Sequence, residues 1–111
     1  MSTIIERIKE EILSWPHVTA EPHRFGGVEF HINKREMGHM HGERLVDIPF
    51  PMNVRNELVN SGHASPHHVL PHSGWVSYWI KGEADIPAVI ELFKMRYDFL
   101  KPKTNIVTAA N

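Results

Sequence analysis

Apolar residues recur at helical spacing near both ends of the chain. The first amphipathic stretch predicts a helix over residues 3–15, and Thr3 and Glu6 have the spacing of a capping box at its start. The second stretch predicts a helix that Asp85 can cap and that runs to Leu100. The apolar positions are Ile4, Ile5, Ile8, Ile12 and Leu13 in the first helix and Ile86, Val89, Ile90, Phe93, Tyr97 and Leu100 in the second.

Between these helices, apolar and polar residues alternate in short runs, as they do in half-buried strands. In the clearest run, Val28, Phe30 and Ile32 share one face. The predicted segments are an extended stretch at 17–24, a strand at 28–33, a hairpin of strands 36–41 and 44–50, a helix at 52–60, an extended piece at 66–70 and a strand at 75–80.

This order of elements is typical of the α+β class. We expect an antiparallel sheet of about four to five strands, with helices packed on one face, among them an N-terminal and a C-terminal helix. The length of 111 residues suits one domain. We place that domain at residues 1–102 and expect the polar residues 103–111 to form a flexible tail.

Composition narrows the classes of function. The chain has no cysteine, which excludes disulfides and thiolate metal sites. It shows no signal-peptide pattern and no apolar run of about 20 residues that could span a membrane, so a cytoplasmic location is expected. The net charge of -1 argues against nucleic acid as a partner, although Lys34, Arg35, Arg44 and Arg55 could form a local basic patch.

Histidine is the most unusual component of the chain. The sequence contains 9 histidines, and most of them lie between His39 and His72. Imidazole has an unperturbed pKa of about 6.5, so near neutral pH it can accept a proton, donate one or bind a metal. This concentration predicts a site lined by several imidazoles, and a solvated, histidine-rich surface is the alternative.

His39 and His41 lie two residues apart on a predicted strand, so their side chains point to the same face. Two registers of their hairpin are open. A loop with an even residue count places His39 opposite Val46, whereas a three-residue loop places it opposite Asp47, whose carboxylate could orient a histidine or bind a metal. The spacing His39-x-His41-x-Glu43 also resembles the first metal motif of cupins, but cupins are all-β barrels and helices are predicted here.

Other side chains could join this site. His67 and His68 are adjacent, so only one of them is expected to face it from an extended segment. Glu29 lies on a strand, where it either faces solvent or is buried with a partner. Trp75 and Trp79 share a face of the predicted strand. Their rings either form the base of a ligand pocket or belong to the core under the last helix. His63 and His72 are expected to be loop residues in solvent, and His17, His23 and His31 to be satisfied polar residues rather than ligands.

Several segments of the chain match the motifs of one known family. They are His23-Arg24-Phe25-Gly26-Gly27-Val28-Glu29-Phe30, Glu36-Met37-Gly38-His39-Met40-His41-Gly42, Asp47-Ile48-Pro49-Phe50-Pro51, Gly62, Ala64, Pro66-His67-His68, Pro71 and Ser73-Gly74-Trp75-Val76-Ser77. Together they cover residues 20–100 and resemble the luciferase-type domain of small bacterial proteins related to the fungal luciferase. A weaker, fold-level likeness is to small α+β domains of the MmcQ/YjbR type.

The resemblance implies oxygen chemistry. The fungal luciferase is a larger protein that oxidises a hydroxylated pyrone, hydroxyhispidin, with dioxygen and without a known metal or organic cofactor. The cofactor of this chain is therefore unknown, and none is required if the resemblance holds. The residues that match the family's motif positions are His39, His41, His67, Asp47 and Trp75.

The leading hypothesis is a cofactor-independent, oxygenase-like enzyme that acts on a hydroxylated aromatic ring or an enol. Either His39 or His41 would act as the base, oriented by Asp47 or Glu29. The candidate catalytic residues are His39, His41, His67 and Asp47, and the candidate substrate-binding residues are Glu29, His68 and Trp75.

Two alternatives remain open. The chain could be a metal- or small-ligand-binding module without catalysis, in which the same histidines act as neutral ligands. It could also be a YjbR-like interaction domain that responds to pH through its histidines. We expect a small molecule as ligand or substrate and no membrane partner, and a homo-oligomer is compatible with the sequence.

Overall fold

The computed structural model of the chain describes residues 3–23 and 26–101. The predicted tail at 103–111, and Arg24 and Phe25 between the first two strands, lie outside the described residues. None of the helices in the described ranges is both long and apolar enough to cross a lipid bilayer. The elements are helices α1 (Ile4–Leu13), α2 (Met52–Asn60) and α3 (Ile86–Leu100) and strands β1 (Val18–Pro22), β2 (Val28–Ile32), β3 (Arg35–His41), β4 (Leu45–Pro49), β5 (Ser65–Pro66) and β6 (Trp75–Trp79).

The strands form one 6-stranded sheet in the order β1-β2-β3-β4-β6-β5, and neighbouring strands are antiparallel. The predicted α+β class, with an antiparallel sheet and N- and C-terminal helices, is confirmed. The sheet has one strand more than expected, because the short segment Ser65–Pro66 pairs with β6. Helix α2 lies between β4 and β5 in the chain, where the sequence predicts a helix.

Helices α1 and α3 pack against the face of the sheet that contains the hydrophobic core. Phe30 of β2 and Phe93 of α3 illustrate this contact, since both are fully buried and their rings meet edge to face with centroids 5.3 Å apart. The prediction that Val28, Phe30 and Ile32 share one face of β2 is therefore confirmed, and this face packs on the core. The buried strand residues on this side include Phe30, Ile32, Met40, Val46, Ile48 and Val76.

The opposite face of the same strands carries polar side chains, because successive residues of a strand point to opposite sides. Strands β3 and β4 are joined by the three residues Gly42 to Arg44, and His39 therefore pairs with Asp47 across the hairpin. This is the second of the two registers that the sequence leaves open. Asp47 also lies opposite Ser77 of β6, so neighbouring strands bring these groups together on one face.

The two long helices begin differently. At α1, the Thr3 hydroxyl accepts from the Glu6 backbone N–H at 3.0 Å, and the Thr3 N–H donates to the Glu6 carboxylate at 2.8 Å, so the predicted capping box is confirmed. Asp85 occupies the N-cap position of α3, but its side chain makes no capping bond. Its carboxylate instead accepts from the Tyr78 hydroxyl and from the Lys81 backbone N–H, each at 2.6 Å, and so links α3 to β6.

Gly38 lies in β3, immediately before His39, where this strand comes close to helix α3. Its φ of +154° lies in a region that other residues rarely adopt. A Cβ atom at this position would come within 2.8 Å of the Asp47 carbonyl oxygen and 3.0 Å of the Phe93 ring. The absence of a side chain at Gly38 therefore permits the close packing behind the polar cluster.

We predict that Gly38→Ala destabilises the protein by about 2–4 kcal/mol, because it combines backbone strain with overpacking. Urea unfolding followed by circular dichroism measures this change. Gly82→Ala is the matched control, since Gly82 has an extended φ of 179° and a Cβ added there would meet nothing within 4 Å beyond its chain neighbours. Equal unfolding midpoints for the two variants would contradict the prediction.

Candidate functional site

Asp47 is fully buried on the polar face and lies at the centre of a cluster of imidazoles. Its Oδ1 atom accepts a hydrogen bond of 2.7 Å from the Ser77 hydroxyl. The imidazole nitrogens within reach of its carboxylate are Nε2 of His41 (3.1 Å), Nε2 of His39 (3.4 Å), Nε2 of His67 (3.5 Å) and Nδ1 of His68 (3.5 Å). A buried carboxylate stays charged only where it is paired and hydrogen-bonded, so these contacts maintain Asp47 as an anion.

The two adjacent histidines after β5 both turn toward Asp47. The prediction that only one of them could face the site is wrong, because the chain bends at His68 and Val69 instead of continuing as an extended piece. The backbone N–H groups of Val69 and Leu70 both donate to Nδ1 of His67, at 3.1 and 3.0 Å. The bend brings the rings of His67 and His68 to a centroid separation of 4.3 Å.

His39 is held between two carboxylates. Its Nδ1 atom is 2.5 Å from Oε2 of Glu36, and its Nε2 atom is 3.4 Å from Oδ2 of Asp47. Desolvation opposes a charge on this ring, but the hydrogen bonds to Asp47 and Glu36 outweigh it and raise the pKa of His39 to about 9. At neutral pH, His39 is therefore a cation whose Nδ1 donates to Glu36 and whose Nε2 forms an ion pair with Asp47.

The same contacts keep Asp47 ionised. Burial alone would raise the pKa of its carboxyl group, but the hydrogen bonds from His39 and Ser77, together with the neighbouring histidines, lower that pKa to about 2. The site thus contains a fixed ion pair between Asp47 and His39 at neutral pH.

His41 and His67 differ from His39 in their charge. Burial lowers the pKa of both rings, and the neighbouring His39 cation lowers the pKa of His41 further. Each is therefore neutral at pH 7. The hydrogen bonds assign their tautomers: the 3.1 Å contact with Asp47 places the proton of His41 on Nε2, and the two bonds accepted by Nδ1 place the proton of His67 on Nε2.

Glu29 is partnered rather than solvated. Its carboxylate lies 2.8 Å from Nδ1 of His23 and 2.6 Å from Nε2 of His31, and these contacts lower its pKa. His23 is hydrogen-bonded, as expected of a satisfied polar residue, and its ring also stacks on that of His39 with centroids 4.2 Å apart. Glu29 thus supports the cluster through His23.

Glu36 is a member of the cluster that was not predicted from the sequence. It precedes His39 by three residues, so a regular strand would place the two side chains on opposite faces. The pairing of β2 with β3 shifts between Phe30 and His31, and His31 lies opposite Glu36. This irregularity brings Glu36 to the face of His39, and the signal for it in the sequence is Gly38, since a glycine inside a strand often marks a bulge.

The cluster forms one side of a cleft of about 540 Å³. Its apolar wall consists of Trp75, Val69 and Leu70, and the Trp75 ring lies 5.2 Å from that of His39, measured between centroids. Val69 and Leu70 are 66% and 52% exposed. The residues that line the cleft are His23, Glu36, His39, His41, Asp47, His67, His68, Val69, Leu70 and Trp75.

The remaining aromatic and histidine candidates lie elsewhere. Trp79 is 51% exposed, so the alternative that it belongs to the core under α3 is wrong. Half-buried Trp75 instead faces the imidazole cluster. His63 and His72 are exposed, as the sequence predicts.

Two groups of side chains bring potential metal-binding atoms within 4.8 Å of one another: His23, His39 and His41, and Asp47, His67 and His68. An imidazole binds a metal through a nitrogen lone pair. Both ring nitrogens of His39 face carboxylates, and Nδ1 of His67 accepts backbone N–H groups. These hydrogen bonds fit protonated and neutral imidazoles better than metal-bound ones.

We predict that Asp47→Asn destabilises the protein by about 3 kcal/mol at pH 7, because it leaves the buried His39 cation without its central partner. The raised pKa of His39 contributes stability that is present below pH 6.5 and is lost as the pH rises through about 9. Between pH 6 and 9.5, the free energy of unfolding measured in urea should therefore fall more steeply with rising pH for the native chain than for the variant.

Asp98→Asn is the matched control for this substitution, because Asp98 lies on the surface, where its side chain is 46% exposed and pairs with Lys94 and Lys101. It should change the free energy of unfolding by less than about 1 kcal/mol. If Asp47→Asn has the same stability and the same pH dependence as the native chain, then the protonation of the imidazoles does not depend on the charge of Asp47.

The sequence profile of one protein family, described as the Luciferase domain, matches residues 34–96, more than half of the chain. The match includes β3, β4, α2, β5, β6 and most of α3, and therefore the central part of the cluster. No curated protein and no solved structure matches the chain significantly. By the extent of this match, the chain belongs to the Luciferase domain family.

Proposed function

We propose that this protein is an enzyme that removes the proton of an acidic hydroxyl group on a flat, conjugated ring and lets the resulting anion react with dioxygen. The observation that carries the proposal is the contact of 3.1 Å between His41 and the buried carboxylate of Asp47, at the wall of a cleft of about 540 Å³. Membership of the Luciferase domain family supports oxygen chemistry.

His41 is the proposed base. Its neutral ring donates Nε2–H to Asp47 and keeps its lone pair on Nδ1. Within residues 3–23 and 26–101, no group forms a hydrogen bond to this Nδ1 atom. When Nδ1 accepts a proton, the Asp47 carboxylate stabilises the imidazolium that forms, as in other Asp–His pairs.

The lowered pKa of His41 limits how weakly acidic the hydroxyl group of the substrate can be. Burial and the His39 cation keep His41 neutral at pH 7, so it is ready to accept a proton, but they also make it a weak base. A weak base transfers protons efficiently only from a group of comparable acidity. An enol conjugated with a carbonyl group, or an electron-poor phenol, meets this requirement.

The charges around His41 have separate roles in this proposal. Asp47 orients the base, while His39, fixed between Glu36 and Asp47, supplies a permanent positive charge beside the developing anion. Glu29 does not line the cleft and would act only by holding His23.

The apolar wall would bind the ring. Trp75 offers an aromatic surface next to His39, and Val69 and Leu70 extend the wall toward solvent. His68, whose side chain is 33% exposed, would contact the substrate at the rim. Flat, partly apolar molecules therefore fit the cleft better than sugars or phosphates.

The proposed reaction has two stages. First, Nδ1 of His41 accepts the hydroxyl proton and leaves an enolate or phenolate. A ring carbon of this anion then gives an electron pair to dioxygen, which forms a C–O bond and a peroxide anion, and His41 returns its proton to yield a hydroperoxide. The carbon loses two electrons and dioxygen gains them, so no other oxidant is needed.

We predict that His41→Ala lowers kcat/KM for oxygen uptake by about 100- to 10,000-fold with any hydroxypyrone or phenol that the native chain oxidises. For the native chain, activity should rise with pH through the lowered pKa of His41, below 6.5, and then level off. The variant should lack this acid limb. An oxygen electrode, used across a panel of hydroxylated pyrones and phenols, measures both quantities.

His63→Ala is the control, since His63 is exposed and lies outside the cleft. Retention of the native rate in His41→Ala would rule out His41 as the base. Activity that disappears with a chelator and returns with one added metal ion would replace this proposal with a metal-dependent one, for which His23, His39 and His41 bring the candidate atoms within 4.8 Å.

A further inference from the structure

Ser77 links His68 to the buried carboxylate of Asp47. Ser77 is itself fully buried, and its hydroxyl oxygen lies 2.7 Å from Oδ1 of Asp47 and 3.2 Å from Nδ1 of His68. A hydroxyl group has one hydrogen, and the ionised carboxylate takes it because a charged acceptor forms the stronger hydrogen bond. The Ser77 oxygen therefore accepts from His68, both from its backbone N–H at 3.3 Å and from Nδ1.

These hydrogen bonds place a proton on Nδ1 of His68. The same atom is 3.5 Å from Oδ1 of Asp47, which favours the same assignment because a carboxylate only accepts. The neutral ring carries a single proton, so Nε2 of His68 keeps its lone pair. Among the described residues, none forms a hydrogen bond to this Nε2 atom.

The ring of His68 lies at the open rim of the cleft. Its side chain is 33% exposed, compared with 10% for that of His67, so a small molecule can reach it. Val69 and Leu70, which follow it in the chain, belong to the apolar wall of the same cleft. A reachable lone pair on one nitrogen, with the other nitrogen held by a hydrogen bond that leads to a carboxylate, is the arrangement that activates an imidazole.

We propose that His68 is a nucleophile toward acyl groups, and that the cleft hydrolyses activated aryl esters as a second activity. The flat aryl group would lie against the apolar wall formed by Trp75, Val69 and Leu70, with the ester carbonyl group at the rim beside His68. This proposal rests on the hydrogen bonds of His68 and Ser77 and not on the proposed oxygen chemistry, since ester hydrolysis consumes no dioxygen.

The reaction has two steps. First, the lone pair on Nε2 of His68 forms a bond to the ester carbonyl carbon, and the C–O bond breaks so that its electron pair leaves with the aryloxide. The acylated ring keeps its Nδ1 proton and is a cation, which the hydrogen bond through Ser77 to the Asp47 anion stabilises. Water then attacks the acyl carbon, the C–N electron pair returns to Nε2, and the products are a carboxylic acid and a phenol.

His63 is a matched comparison within the same chain. Its Nδ1 atom also lies close to a serine hydroxyl, that of Ser61, at 2.6 Å, and His63 is exposed. The other partner of this hydroxyl within the described residues is the backbone carbonyl oxygen of Leu58, at 3.3 Å, which carries no charge. The two histidines therefore differ in whether the serine leads to a carboxylate, and this difference should make His68 the more reactive of the two.

The test measures the release of para-nitrophenolate from para-nitrophenyl acetate by absorbance, under nitrogen and with a chelator present. We expect His68→Ala to lower the rate about tenfold or more, because it removes the nucleophile, and His63→Ala to lower it less than about twofold. Ser77→Ala keeps the nucleophile and removes its link to Asp47, so it should lower the rate by less than His68→Ala does. Nitrogen NMR of the Ser77→Ala variant should also show that His68 no longer holds its proton on Nδ1 alone, a change that a loss of packing would not cause.

Two measurements on the native chain keep the outcome decisive if a variant folds poorly. Nitrogen NMR should show a proton on Nδ1 of His68 and none on Nε2, and the opposite tautomer would overturn the proposal. Diethyl pyrocarbonate, which acylates unprotonated imidazole nitrogens, should modify His68 before His63 when the peptides are followed by mass spectrometry, and the reverse order would overturn it. A folded His68→Ala variant that cleaves the ester at the native rate would also overturn it.

Discussion

A single buried carboxylate determines how the polar face of this protein is organised. Asp47 has no exposed surface, and a charge in that position is costly unless several donors compensate for it. The sheet supplies Ser77 and His39 from the neighbouring strands, and the bend after β5 supplies His67 and His68. Because every one of these groups approaches the same carboxylate, the strand register, the loop conformation and the protonation states depend on one another.

The cluster shows how one anion can give neighbouring imidazoles different properties. His39 lies between two carboxylates and is a cation, whereas His41 contacts one carboxylate, lies beside that cation and is neutral. His67 is neutral for a different reason, because burial disfavours its charge and backbone N–H groups occupy its Nδ1. An unprotonated Nδ1 on His41, an Nε2–H donor on His67 and a fixed charge on His39 therefore result from burial and hydrogen-bonding geometry around one anion.

The sequence predicted the parts of this site that depend on strand periodicity. The two-residue spacing of His39 and His41 placed both on one face, and the alternation in β2 identified the buried side of the sheet. The sequence could not choose the hairpin register, because both loop lengths were compatible with the residues between the strands. Glu36 and the second histidine after β5 were missed because a bulge and a bend, respectively, break the periodicity on which such reasoning relies.

Resolved NMR titration of the His39 ring tests most directly whether the buried carboxylate controls the cluster. In the native chain, His39 should remain protonated until the pH approaches about 9. In the Asp47→Asn variant, its pKa should fall toward the ordinary value of about 6.5, with Glu36 as the only remaining carboxylate partner among the described residues. A native His39 that titrates near pH 6.5, or a pKa that does not change in the variant, would show that Asp47 does not set the charge of this site.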